Sequence, residues 1–216
     1  MSVLDDFLAV ERRIAGACAR AGRKREEVTL VAVSKTKPAA MLDEAIAAGV
    51  TELGENRVQE ARDKKPLVRG SARWHLIGHL QSNKAKDAVR LFDVIQTIDS
   101  MELAEKVARA ASAARKVQDV LLEVNIGNEL QKSGAAPAEV ESLAAGVRKL
   151  DALHLRGLMA IPPAEDARRW FRELRALRDA VGLPDLSMGM TDDFEMAIEE
   201  GATIIRVGRA IFGERG

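Results

Sequence analysis

The 216-residue sequence contains no tyrosine, one cysteine, three histidines and only 3% aromatic residues. A single cysteine, Cys18, excludes an intrachain disulfide and a multi-cysteine zinc site. It falls in a stretch of helical period, residues 3–21, and reads as a small packed side chain. The missing tyrosine removes a frequent acid/base group. Acidic and basic residues balance at 33 each, so no overall field favours nucleic acid or an anionic membrane. No apolar run approaches membrane-spanning length. The opening MSVLDDFLAVERR carries acids in its first turn and no apolar signal core. These absences point to a soluble, cytoplasmic protein in a reducing compartment, with no metal, nucleic-acid or membrane partner.

What is present is alternation. Short apolar runs at 28–34, 51–54, 74–78, 93–97, 119–125, 155–160, 185–189 and 203–207 predict strands. Helix-period segments lie between them at about 38–48, 56–65, 81–91, 100–116, 137–150, 164–181 and 192–200. Pro38, Pro137 and Pro163 sit near helix starts, and Gly49, Gly182 and Gly201 near helix ends. Eight strands with intervening helices fit a closed (β/α)8 TIM barrel, read as one domain over 1–216 with an extra N-terminal helix outside it. The alternative, an open doubly wound sheet, lacks a G-x-G-x-x-G after its first strand. No leftover apolar stripe marks an interface, so a monomer is expected.

In such a barrel, reactive groups gather at the carboxyl ends of strands. The run VTLVAVSK, residues 28–35, ends in Lys35. Two readings of that lysine stay open from position alone. It is an amine in an apolar pocket, suited to Schiff-base chemistry with a carbonyl compound, or a strand cap reaching solvent. The ends of the last two strands carry Ser187 in SMGM, and Arg206, Gly208 and Arg209 in RVGR. A hydroxyl, a glycine and a helical turn starting near Arg209 would suit a phosphate. Tight packing turns would use the same residues. Arg206 lies in an apolar run and needs a partner, either an acid such as Glu123 or an acceptor atom on a ligand. A lysine plus a phosphate cradle fits pyridoxal 5′-phosphate (PLP), and equally a sugar phosphate in a lysine-dependent aldolase.

Seven segments narrow this: VAVSKTKP, GENRVQEA, WHLIGHLQSNK, EVNIGNELQKSG, RGLMAIPP, LSMGMTDDFEMAI and IRVGRAIFG, in order from residue 31 to 213. With them the chain resembles the PLP homeostasis protein family, PLP-binding proteins related to the barrel domain of bacterial alanine racemase. The resemblance implies that Lys35 forms the Schiff base with PLP. It implies that Ser187 and the backbone around Gly208 and Arg209 hold the phosphate, that Arg206 faces the pyridine nitrogen, and that Asn56 lies beside the cofactor. Many relatives carry Thr where this chain has Arg209: a backbone contact survives that change, a hydroxyl contact to the phosphate is lost, and the alternative role for the Arg209 side chain is added charge near the phosphate. His79 and Lys132 also match family positions. His79 suits a pocket-side or a structural role. Lys132, in the polar segment GNELQKSG, reads as a solvated amine on a mobile loop, and if mobile as a transient acceptor of PLP from Lys35. His75 and His154 read as structural.

A guanidinium is a donor that keeps its proton, so Arg206 favours an unprotonated pyridine and weakens it as an electron sink. The racemase relatives take a second base, a tyrosine, from an additional β-domain, and this chain has no tyrosine and ends at Gly216. The expectation is therefore no catalytic residue, and binding, storage and delivery of PLP, with PLP-dependent apo-enzymes as recipients. The alternatives are a weak PLP-dependent racemase and the aldolase.

Overall fold

The computed structural model describes residues 2–213. Eight parallel strands close in chain order: β1 (Thr29–Val33), β2 (Glu52–Glu55), β3 (Arg73–Leu76), β4 (Val94–Ile98), β5 (Gln118–Glu123), β6 (Leu153–Met159), β7 (Asp185–Ser187) and β8 (Ile204–Val207). Pairing of β1 with β8, from Thr29↔Ile204 to Ala32↔Val207, completes the ring and leaves no sheet edge. The expected (β/α)8 barrel is thus what forms. β1, β3, β5, β6 and β7 end one or two residues sooner than their apolar runs suggest, because the mouth turns begin there. At β7 the cause is Gly189, whose φ of +91° turns the chain out of the sheet.

Helices α2 (Ala39–Ala47), α3 (Val58–Lys64), α4 (Ala85–Leu91), α5 (Met101–Ala113), α6 (Val140–Val147), α7 (Ala167–Ala180), α8 (Phe194–Glu199) and α9 (Arg209–Phe212) follow the strands in turn. The N-terminal helix α1 (Val3–Arg20) starts on a capping box, with the Asp5 N–H donating to Ser2 Oγ and the Ser2 N–H to the Asp5 carboxylate, both at 3.2 Å. It buries Val3, Phe7, Val10, Ile14 and Ala17, one face at helical spacing, and packs against α2, α8 and α9. Since α9 is a single turn, α1 occupies the place in the outer ring where a full eighth helix would stand. Cys18 is buried on the same helix, as expected of a packed residue.

Strand alternation divides the core. Leu30, Ala32, Leu53, Leu76, Ile95, Val120, Leu122, Leu158, Leu186 and Ile205 join the layer between sheet and helices. Val31, Val94, Leu121, Met159 and Ile204 form a separate cluster inside the ring. Above and beside that plug the barrel interior is polar, and this polar layer positions the site.

Candidate functional site

A cavity of about 530 Å³ opens at the carboxyl ends of the strands. Its wall brings together Lys35, Asn56, Arg206, Gly208 and Arg209, five of the six residues picked out in the sequence. Lys35 is half-buried, the second residue of a tight turn closed by the Lys37 N–H on the Ser34 carbonyl at 3.0 Å. Gly208 has a packing reason to be glycine: a Cβ there would lie 3.1 Å from the Val33 carbonyl oxygen. Arg209 pairs with the Asp192 carboxylate at 2.5 Å on the rim, so much of its charge is already answered.

Ser187 is the residue not brought to the wall. It is fully buried, and its hydroxyl accepts from Arg206 Nη1 at 2.7 Å and donates to Gln96 Oε1 at 2.6 Å. Sequence reasoning passed over Thr191, four residues on, which does line the cavity together with Met190 and Asp192. The available signal was the turn glycine, Gly189: residues beyond it belong to the mouth, while Ser187 still belongs to the strand.

Arg206 is 3% exposed, and its second amino group, Nη2, donates to the Ala160 carbonyl at 2.9 Å. Its partners are therefore a hydroxyl and a carbonyl; Glu123, the acid considered from sequence, makes no hydrogen bond to it. Burial pulls the guanidinium down to about 10. Beneath it the polar contacts continue across the barrel. Gln96 Nε2 lies 2.8 Å from His75 Nδ1, and His75 Nε2 lies 2.6 Å from Glu52 Oε2. An arginine can only donate and a carboxylate only accept. With the Gln96 amide oriented Oε1 to Ser187 and Nε2 to His75, each bond between the ends has one direction. Arg206 gives to Ser187, Ser187 to Gln96, Gln96 to His75 and His75 to Glu52.

His75 is thereby a structural imidazole. His154, beside Asp119 at 2.9 Å, is the second residue of β6, at the amino end of the strand and away from the cavity. His79 is exposed, 3.7 Å from Asp99, and lies off the cavity wall. Lys132 differs from the expected solvated amine: it is half-buried, pairs with Glu129, and donates to the carbonyl of Ile161, a cavity-lining residue, at 3.2 Å.

Glu123, at the end of β5, is buried, and its Oε2 has no hydrogen-bond partner among the described residues. Burial, reinforced by the nearby Asp99, pushes its carboxyl above the usual range. The folded protein then holds this proton to higher pH than the unfolded chain, so stability is lost as pH rises through the raised value. Glu123→Gln is expected to be more stable than the parent at about pH 8, the gap closing toward about pH 5. Urea melts at both pH values check this.

The model of the alanine racemase N-terminal domain matches residues 7–216. The pyridoxal phosphate homeostasis protein of Aquifex aeolicus is 42% identical over 226 residues, covering 100% of this chain and 99% of the relative. Its namesake from Escherichia coli K12 is 43% identical, covering 99% and 97%. PipY of Synechococcus elongatus, a structure with PLP bound, superposes with a TM-score of 0.82 at 37% identity, covering 93% of this chain and 100% of its own. An alanine racemase of Clostridium difficile shares the fold at a TM-score of 0.76 and 14% identity, with this chain spanning 57% of it. From the full-length identity and the shared barrel, the chain belongs to the pyridoxal phosphate homeostasis protein family, built on the alanine racemase N-terminal domain.

Proposed function

We propose that this protein holds PLP in the cavity at the barrel mouth, through Lys35, and serves cytoplasmic PLP homeostasis by storing and delivering it. One observation carries the reading: a half-buried lysine amine shares a wall with a buried guanidinium and a cluster of anion-binding groups. The donor set fits the cofactor. PLP supplies an aldehyde that condenses with a primary amine and a ring that draws electrons from carbon. Lys35 offers the amine. The Thr191 hydroxyl, the backbone at Gly208 and the Arg209 side chain surround the place for a phosphate. The cavity volume lies within the range of small-molecule sites.

Arg206 is the group for the pyridine nitrogen. Its guanidinium is held on two sides, by Ser187 and Ala160, so it is oriented before any ligand arrives. In this reading Ser187 acts on the cofactor through Arg206, and Thr191 takes the hydroxyl role at the phosphate. A donor-only group at the ring nitrogen opposes its protonation, which favours carriage over turnover.

The experiment is an absorbance titration of the purified protein with PLP, followed by borohydride reduction and peptide mass mapping. A visible band that reduction converts into an adduct on Lys35, with no steady α-proton exchange on amino acids, is the expected result. A colourless protein trapped only with a sugar phosphate would point to the aldolase instead.

A further inference from the structure

Lys35 sits in a turn that its own neighbour disfavours. Ser34 to Lys37 form the four-residue turn, and the third residue, Thr36, has φ +66°. Glycine commonly occupies that position, and a β-branched residue resists it. Helix α3 supplies what holds it there. The Thr36 N–H donates to Glu60 Oε1 at 2.5 Å, and the same oxygen accepts from Lys64 Nζ at 2.9 Å. Lys64 is 8% exposed, and it also donates to the Ser34 carbonyl at 2.8 Å and to Glu55 Oε1 at 2.6 Å. An ammonium has three protons, and all three are used. Glu55 is wholly buried and accepts from the Ser34 hydroxyl as well, at 2.7 Å. A buried ion pair is weak as a source of stability but strong as a source of geometry. Here it grips the residues immediately before and after Lys35.

We propose that Glu60 and Lys64 are positioning residues for Lys35: they pin the Ser34 carbonyl and the Thr36 amide, and so set where the amine enters the cavity. The proposal rests on the reading of Lys35 as the amine that takes PLP. Neither Glu60 nor Lys64 lines the cavity, so any effect they have on uptake passes through the turn.

The test compares affinity for PLP with affinity for pyridoxine 5′-phosphate, which has the ring and phosphate but no aldehyde. Glu60→Ala is expected to weaken PLP about tenfold and pyridoxine 5′-phosphate by less than about twofold. Glu60→Gln, which keeps an acceptor for the Thr36 amide, recovers most of the loss. Glycine adopts positive φ unaided, so adding Glu60→Ala to Thr36→Gly costs less PLP affinity than adding it to the parent. Equal losses for both ligands, or an equal cost in both backgrounds, overturn the proposal. Melting of the ligand-free proteins separates this from the PLP reading itself. Should the parent take up no PLP, that reading fails, while the clamp still requires Glu60→Ala to lower Tm more in the parent than in Thr36→Gly. An equal drop overturns the clamp.

Discussion

Lys35→Ala is expected to abolish the visible band that PLP gives with the parent protein and to weaken PLP by about a hundredfold or more. The alanine removes the amine and leaves the rest of the wall in place: Asn56, Arg206, Gly208 and Thr191. Affinity for pyridoxine 5′-phosphate should therefore stay within about threefold of the parent, because no covalent step contributes to it. Stability should change by about 1 kcal/mol at most, since a half-buried side chain at a turn is replaced by a smaller one. Lys37 also lines the cavity. A band that survives in Lys35→Ala would move the amine to Lys37 and overturn the assignment. Absorbance titration and thermal melts on the two proteins settle both points.

Gly78→Ala should be the most damaging small substitution near the mouth. A Cβ on Gly78 would lie 2.2 Å from the Asn56 carbonyl oxygen and 2.9 Å from the Asn56 Cα and carbonyl carbon. These are backbone atoms, so no side-chain rotation relieves the overlap. β2 and β3 are registered immediately below, Glu55 against Leu76, and the Ile77 N–H donates to the Glu55 carbonyl at 3.0 Å. The Thr97 hydroxyl donates to the Gly78 carbonyl at 3.1 Å on the other side. The strand ends therefore have little room to part, and a loss of about 3–4 kcal/mol is expected. Asn56 lines the cavity, so PLP uptake should fall in the protein that remains folded. A denaturant melt checks the first effect, and a titration at a temperature well below the melt checks the second. A melt within about 0.5 kcal/mol of the parent would mean that β2 and β3 can separate.

The barrel was legible because buried parallel strands and amphipathic helices leave different periods in the sequence. Runs such as Val28–Val33 and Thr203–Val207 are mostly apolar and β-branched, and both form strands near the expected limits. Strand ends were less legible, since apolar residues such as Met188 continue beyond the sheet into the mouth turns. In the site, Lys35 and Arg206 stood out as charges set in apolar surroundings. The surroundings of Ser187 were less legible for a reason of direction: a strand residue's side chain faces the barrel interior or the helices, and only the fold shows that this one reaches a guanidinium beneath the cavity. Lys64 left no signal at all. In ARDKKP it looks like any solvated helix lysine, and its burial follows from the way α3 lies over the β1 turn.

The row from Arg206 down to Glu52 has a further consequence for what each place can tolerate. Every member between the ends must receive on its upper side and give on its lower side. A residue that only gives, or only receives, breaks the row wherever it is placed, however well it fills the volume. The choice of side chain at positions 75 and 96, deep in the barrel, is thus dictated by which way a single buried cation beneath the cavity must face.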